Sequence, residues 1–311
     1  MKLVFMGTPA FAVPSLERIV AAGHDVVAVF TQPDRPQGRS LRVAMPAVKE
    51  AALRLGLAVY QPERVRRPEV VEQLRGMAPE AMVVVGYGQI IPKTILDIPP
   101  MGIVNVHASL LPKYRGAAPI QWAIARGETR TGVTTMRINE GLDTGDMLLK
   151  WETEIGAEET AVELGERLAA AGADLLVRTL AELTSIEAEP QDESQASDAP
   201  ILKKEDGKIA WTIPAREVLN RVRGFVPWPG AFGFLRGQRF HIWKATSVWK
   251  EAGGEVELPP GALRVVNRKL YAGCEGGSSI ELREVQLEGK KRMQAAAFLN
   301  GFPMAGDEVL Q

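Results

Sequence analysis

Short apolar runs and amphipathic stretches alternate through the first half of the chain. Apolar runs of strand length predict strands at 2–6, 25–31, 58–60, 81–85 and 103–107. The stretches between them predict helices that end near 22 or span 46–55, 68–76 and 92–96. This alternation predicts an α/β fold with an open, doubly wound, mostly parallel, Rossmann-like sheet. Ligands of such sheets bind beyond the carboxyl ends of the strands.

The second half of the chain has a different pattern. Strands at 131–138 and 147–154 flank a glycine-rich turn, and a helix over 160–183 begins with Thr160 and Glu163 as a capping box. Residues 187–205 are polar and have little to bury, which predicts a linker.

Beyond this linker the sequence predicts a small β-rich domain. A helix is expected at 216–224, and Gly and Pro turns separate five short strand signals, at 231–235, 239–247, 261–266, 269–272 and 280–286. Five short strands in about a hundred residues predict a barrel of the OB type. The predicted domains are therefore 1–186, a linker at 187–205, and a C-terminal barrel domain at 206–311.

Composition places the 311-residue chain among ordinary globular proteins, with 46% hydrophobic and 24% charged residues. Cys274 is the only cysteine, so no intramolecular disulfide can form, which fits a reducing compartment. The three histidines lie far apart, which argues against a structural metal site. The N-terminus lacks a signal-peptide pattern, and no segment approaches a membrane span, so we expect a cytoplasmic protein without a membrane partner.

Charge is distributed unevenly along the chain. Residues 206–311 contain 15 Lys or Arg against 11 Asp or Glu, although the whole chain has a net charge of −1. A basic C-terminal region beside an acidic N-terminal one is compatible with a polyanion partner. A charge difference without function explains it equally well.

The richest candidate site lies at the end of the predicted strand 103–107. Asn105 and His107 are two residues apart, so on a strand they point to the same face. Asp143 follows in the turn Gly-Leu-Asp-Thr-Gly-Asp. An amide, an imidazole and a carboxylate can together transfer an acyl group without a covalent intermediate, because they supply oxyanion donors and a proton acceptor.

Several segments resemble the methionyl-tRNA formyltransferase family, a branch of the folate-dependent formyltransferases. The resemblance covers nearly the whole chain and is carried by residues 6–16, 31–39, 87–92, 105–120, 141–146 and 224–230. It implies transfer of a formyl group from 10-formyltetrahydrofolate to the amino group of methionyl initiator tRNA, which gives formylmethionyl-tRNA for translation initiation. It implies no metal and no obligate protein partner.

The resemblance also implies roles for individual residues. Asn105, His107 and Asp143 would be catalytic. The folate cosubstrate would be bound by Tyr87, Gly88, Gln89, Ile90, Ile91, Ser109, Leu110, Leu111 and Pro112. The tRNA would be contacted by Arg35, Arg39, Arg42, Arg221 and Arg223.

Other functions stay open at this point. The same catalytic set would serve a formyltransferase for a purine-precursor amine or a nucleotide-sugar amine, or a formylfolate hydrolase. The purine enzyme is expected to be a single domain, and the sugar enzyme to carry a further dinucleotide-binding domain. A non-catalytic nucleic-acid-binding protein is disfavoured, because it would not need Asn105, His107 and Asp143 together. A dinucleotide-binding oxidoreductase is disfavoured because the first turn, at Gly7, lacks the Gly-x-Gly-x-x-Gly fingerprint.

Overall fold

The larger sheet of the protein has seven strands. A computed structural model describes residues 1–37, 42–247 and 257–311. In chain order the first nine strands are β1 (Lys2–Gly7), β2 (Asp25–Phe30), β3 (Arg35–Gln37), β4 (Arg42–Ala44), β5 (Val59–Tyr60), β6 (Ala81–Val85), β7 (Ile103–His107), β8 (Arg130–Arg137) and β9 (Met147–Glu154). The sheet order is β5-β2-β1-β6-β7-β8-β9, while β3 and β4 form a separate antiparallel pair.

The direction of the strands confirms the predicted mostly parallel sheet. β5, β2, β1, β6 and β7 run parallel, and β8 and β9 continue the sheet antiparallel. Every residue of β6 and β7 is buried, as expected for central strands covered on both faces. The strand order reverses between β1 and β6. Folds of this type bind ligands in the crevice at such a reversal, which here lies at the carboxyl ends of β1, β6 and β7.

The described ranges contain eight α-helices. They are α1 (Val13–Ala21), α2 (Ala47–Arg54), α3 (Pro68–Met77), α4 (Lys93–Leu96), α5 (Pro119–Ala125), α6 (Ala161–Ala181), α7 (Ala215–Gly224) and α8 (Ala295–Gly301). The predicted capping box of α6 is confirmed, because the Glu163 carboxylate accepts from the Thr160 N–H at 2.9 Å and Thr160 Oγ1 accepts from the Glu163 N–H at 3.4 Å. No helix in the described ranges is long and apolar enough to cross a membrane.

The chain divides into two compact units. The first comprises Met1–Pro119, Arg130–Glu154 and Gly165–Ala199, and the second comprises Ile120–Thr129, Ile155–Leu164 and Pro200–Gln311. Residues 187–199, which the sequence predicts as a linker, therefore pack with the first unit. Their polar side chains and backbone groups hydrogen-bond to that unit. A prediction from hydrophobic periodicity does not detect such hydrogen bonds, so the segment resembles a linker in the sequence.

The second unit contains an antiparallel sheet made of the remaining strands. These are β10 (Ala231–Leu235), β11 (Gln238–Ser247), β12 (Leu263–Val266), β13 (Lys269–Gly273), β14 (Ser279–Leu287) and β15 (Met293–Gln294). The order is β10-β11-β14-β13-β12, with β15 paired to β14. The five predicted strands are present, but the predicted closed barrel is not found: among the described residues, no strand pair joins β10 to β12.

The C-terminal residues hydrogen-bond to both edges of this sheet. The Leu263 N–H donates to the Glu308 carbonyl at 2.8 Å, beside β12. On β10, Phe234 exchanges backbone hydrogen bonds of 2.9 and 3.0 Å with Gln311. A short terminal segment therefore covers both edge strands, β10 and β12. It is too irregular to be recognised as a strand in the sequence.

A buried carboxylate anchors this terminal segment. Burial raises the pKa of the Glu308 carboxyl, but hydrogen bonds from the Ala305 N–H, the Arg236 guanidinium and the Gly306 N–H outweigh that effect and hold the pKa at about 2. Its usual pKa is about 4.3. Because the folded-state pKa is depressed, the carboxylate stabilises the fold above about pH 5, and this contribution is lost as the pH falls towards 2.

We expect Glu308→Gln to lower the free energy of unfolding by about 1–3 kcal/mol at pH 7. The difference should be much smaller at pH 2.5, where the carboxyl of the unfolded wild-type chain is protonated and must lose its proton on folding. Urea unfolding of both proteins at the two pH values measures this difference. Asp307→Asn, at the exposed neighbouring acid, is the matched control and should have little effect. An equal deficit at both pH values would show that the charge of Glu308 is not what stabilises the segment.

Candidate active site

The two polar residues of β7 lie at the carboxyl edge of the sheet. β7 pairs with β6 on one side and β8 on the other, so its backbone is held by both neighbours. Asn105 is 8% exposed and His107 is 6% exposed. Within the described ranges the Asn105 side-chain amide has no hydrogen-bond partner, although its backbone is fixed. Its N–H groups can therefore donate to a group bound at this edge of the sheet.

His107 is fixed by a backbone carbonyl. Its Nε2 lies 2.8 Å from the carbonyl oxygen of Tyr114. A carbonyl only accepts hydrogen bonds, so Nε2 must carry a proton. The other ring nitrogen, Nδ1, is therefore the one that can gain or lose a proton, and it lies 3.6 Å from Asp143 Oδ2.

Asp143 completes the group from a strained turn. Its φ is +52°, in the left-handed region that is unfavourable for a residue with a side chain. The Gly116 N–H donates to Asp143 Oδ2 at 2.8 Å, and the side chain is 17% exposed. Asn139 stabilises the same turn, since its Oδ1 accepts from the Gly141 N–H at 3.0 Å and from Thr144 Oγ1 at 2.9 Å. The structure thus brings the predicted carboxylate to the predicted imidazole.

Two backbone groups of this site are missing from the predicted residues, the Tyr114 carbonyl and the Gly116 N–H. Both lie in the loop after β7, within the segment that carries the resemblance. A backbone group has no side-chain signature, so only the spacing between His107 and this loop could have indicated them.

The loop directly after β7 is held by one threonine. Thr134 Oγ1 donates to the Ser109 carbonyl at 2.7 Å and accepts from the Leu111 N–H at 3.1 Å. Leu111 packs into a small buried cluster with Met136 and Met147, while Leu110 and Pro112 are half-buried. Ser109 is fully buried and donates to the Lys113 carbonyl. The predicted folate residues here therefore form a well-anchored loop beside Asn105 and His107.

The segment Tyr87 to Ile91 follows β6 at the same sheet edge. The Tyr87 ring is buried in the core, where burial raises the pKa of its hydroxyl. Its carbonyl accepts from Thr8 Oγ1 at 2.9 Å and Gln32 Nε2 at 3.1 Å. Gly88 has a φ of +82°.

Farther along this segment the side chains differ in exposure. The Gln89 side chain is bound to the backbone of Pro62 and Val65. Ile90 is 86% exposed and Ile91 is buried. Only Ile90 among these side chains is widely accessible, so a ligand at this edge would meet mainly backbone.

The predicted tRNA-contacting arginines have different surroundings. In the first unit, Arg35 is exposed, with its guanidinium 4.0 Å from Glu63. Arg39 lies outside the described residues, and Arg42 begins β4.

Both predicted arginines of the second unit are on α7. Arg223 donates to the Asn220 side chain and to the carbonyls of Gly156 and Glu159, and burial lowers its pKa. Arg221 is half-buried, and its Nε has no partner in the described part of the chain. Arg223 is thus engaged within the protein, whereas the unpartnered Nε of Arg221 is a buried atom.

No cluster of three His, Cys, Asp or Glu side chains suited to a metal ion occurs in the described ranges. The site offers the Asn105 amide and the His107 imidazole as donors, and the Asp143 carboxylate as an acceptor beside them. Such an arrangement can stabilise an oxyanion and accept a proton beside it.

The family models and relatives that match this chain are formyl transferases. The formyl transferase family model matches residues 1–180, and the model of the formyl transferase C-terminal domain matches 201–303. A methionyl-tRNA formyltransferase from Solibacter usitatus is 61% identical over 312 residues, with 100% of this chain and 98% of that protein covered. One from Koribacter versatilis is 56% identical, with 99% and 98% covered.

Solved structures of more distant enzymes share the fold. An N-formyltransferase from Helicobacter canadensis, in complex with folinic acid and dTDP-3-aminofucose, has a TM-score of 0.67 and 19% identity, with 91% of this chain and 98% of that chain covered. The sugar 3N-formyltransferase WlaRD has a TM-score of 0.68 and 18% identity, with 94% and 99% covered. Nearly the whole of each of these two chains is matched, so neither contains the further domain expected of a sugar enzyme.

Proposed function

This chain belongs to the methionyl-tRNA formyltransferase family, and we propose that Asn105, His107 and Asp143 carry out its reaction. It transfers the formyl group of 10-formyltetrahydrofolate to the amino group of methionyl initiator tRNA, as the enzymes with 61% and 56% identity are named for doing. The observation that supports the site most strongly is the 3.6 Å approach of His107 Nδ1 to the Asp143 carboxylate, beside the unpaired Asn105 amide.

The reaction follows from these three groups. The methionyl amine attacks the formyl carbon, and the carbonyl π electrons move to oxygen to give a tetrahedral oxyanion. Asn105 Nδ2 and the protonated His107 Nδ1 donate hydrogen bonds to it. Asp143 keeps the imidazole in its donating state and accepts the amine proton. The oxyanion then re-forms the carbonyl, the bond from carbon to the folate nitrogen breaks, and that nitrogen takes the proton that Asp143 accepted from the amine, so that formylmethionyl-tRNA and tetrahydrofolate leave.

The folate cosubstrate is assigned to the edge formed after β6 and β7. Its pterin ring would lie against the backbone of residues 87–91, with Ile90 as an apolar contact. The loop from Ser109 to Pro112, which Thr134 holds rigid, would border its reactive end. An apolar pocket with a few fixed polar groups is typical for a flat heterocyclic ligand. The scheme uses no metal and no further protein partner.

The tRNA would be contacted from both parts of the chain. We assign the catalytic role to residues 1–186 and the C-terminal tRNA surface to residues 206–311, joined by 187–205. The second sheet would act as an OB-type barrel whose closure is completed by residues 308–311, since these hydrogen-bond to both of its edges. Arg35, Arg39, Arg42 and Arg221 would approach phosphates or bases, with Arg223 supporting α7. The enzyme would act in the cytoplasm, where initiator tRNA is used.

Removing one oxyanion donor should slow formyl transfer to methionyl-tRNA by about 100–1000-fold in Asn105→Ala, and by at least as much in His107→Ala. Asp143→Asn should lose a similar factor, because an amide still accepts from the Gly116 N–H but cannot hold a proton from the amine. Initial rates with 10-formyltetrahydrofolate measure these losses. Asp146→Asn, at the exposed acid of the same turn, is the matched control and should keep nearly full activity. Full turnover in both Asn105→Ala and His107→Ala would refute the assignment.

Binding of tRNA phosphates by the arginines should be visible in the salt dependence of tRNA use. Replacing Arg35 and Arg39 by alanine should lower kcat/KM for methionyl-tRNA and reduce the slope of log(kcat/KM) against log[salt] by about one for each phosphate that the variant no longer binds. Arg264→Ala, at an exposed arginine on β12, is the control and should leave that slope unchanged. A wild-type rate that is insensitive to salt would argue against phosphate binding altogether.

A further inference from the structure

Residues 189–199, here called the strap, lie along the loop that follows β7. At its start, the backbones of Glu189 and Met147 exchange two hydrogen bonds of 2.8 Å, at the beginning of β9. At its end, the Arg115 N–H donates to the Ser197 carbonyl at 2.8 Å, and the Ala199 N–H donates to the Arg115 carbonyl at 2.6 Å. The strap is therefore attached both to the sheet and to the loop that contains the Tyr114 carbonyl and the Gly116 N–H.

One strap side chain joins the two segments that carry the catalytic group. Gln191 Nε2 donates to the Asp143 carbonyl at 2.8 Å and to the Gly145 carbonyl at 2.7 Å. Its Oε1 accepts from Arg115 Nε at 3.0 Å. A primary amide has two N–H donors and one carbonyl acceptor, and all three functions are used here. Gln191 thus connects the turn of Asp143 to the loop beside His107.

The arginine at this junction is itself held in place. Arg115 is 8% exposed, and its Nη1 and Nη2 donate to the two carboxylate oxygens of Glu193 at 2.9 and 2.8 Å. This bidentate pair raises the pKa of Arg115. The Glu193 side chain is largely exposed, so the pair adds little stability by itself. Its effect is to fix the direction from which Arg115 Nε reaches Gln191.

The turn of Asp143 needs such support. A φ of +52° is unfavourable for aspartate, and strained residues of this kind persist only where surrounding contacts hold them. The carboxylate must also stay close to both the Gly116 N–H and His107 Nδ1. A displacement of about 1 Å in a catalytic group can cost about 100-fold in rate.

We propose that Gln191 is a positioning residue, whose side-chain amide holds the turn of Asp143 against the Arg115 loop and thereby sets the distance between the Asp143 carboxylate and the His107 ring. This inference rests on the proposed function, because it assigns to Gln191 a role in the reaction of those two residues. The two N–H groups of the Gln191 amide hold the turn, so a side chain of the same length without these donors should not position Asp143.

Kinetics of two variants test the role. Gln191→Ala should reduce kcat for methionyl-tRNA formylation by about 10–100-fold, while both KM values stay within about threefold. Gln191→Glu keeps the length and the acceptor for Arg115 but replaces both donors with oxygen, so it should lose as much. Gln195→Ala is the control, because this exposed strap side chain donates to Asp192 and not to the site. An unchanged kcat, or a loss found only in KM, would overturn the proposal.

A second measurement needs no substrate. The chain has three histidines, so ¹⁵N spectra of histidine-labelled protein contain three ring systems. In Gln191→Ala and Gln191→Glu the His107 Nδ1 resonance should move, because its neighbouring carboxylate shifts, while those of His24 and His241 stay in place. An unmoved His107 signal in folded protein would overturn the proposal. A wild-type enzyme that fails to formylate methionyl-tRNA would instead contradict the proposed function, and the spectra would still decide whether Gln191 positions Asp143.

Discussion

His107 Nε2 donates to a backbone carbonyl, and this bond determines what the rest of the site can do. The Tyr114 carbonyl cannot donate, so the proton on Nε2 is fixed and only Nδ1 can serve a reacting group. Nδ1 faces Asp143, whose carboxylate is held by the Gly116 N–H from the same loop. One loop therefore orients both the imidazole and the carboxylate, and preorganised donors of this kind need no rearrangement when charge develops in the transition state.

The sheet explains why this loop can be so well defined. β7 is buried and paired on both sides, so the direction of Asn105 and His107 is set by the strand backbone. The antiparallel strand β8 then places Thr134 beneath the loop, where its hydroxyl satisfies two backbone groups. The sheet thus fixes the loop, the loop fixes the His107 ring and the Asp143 carboxylate, and Gln191 of the strap hydrogen-bonds to the turn of Asp143.

Much of this arrangement could be predicted, for physical reasons that differ between its parts. The parallel strands and the shared face of Asn105 and His107 follow from apolar periodicity and from the two-residue repeat of a strand. The role of residues 187–199 could not be predicted, because polar side chains that hydrogen-bond to a neighbouring loop have the same composition as a solvated linker. The edges of the second sheet are covered by an irregular terminal segment, and the sequence carries no periodic signal for it.

The fate of the formyl group tests the proposed reaction most directly. Wild-type enzyme would be given 10-formyltetrahydrofolate with ¹³C in the formyl carbon, together with methionyl initiator tRNA, and the position of the label would be read by mass spectrometry and ¹³C spectra. We expect the label to appear on the methionine amino group of the tRNA in proportion to the tetrahydrofolate formed. Label recovered as free formate, or only on small amines, would contradict this reaction.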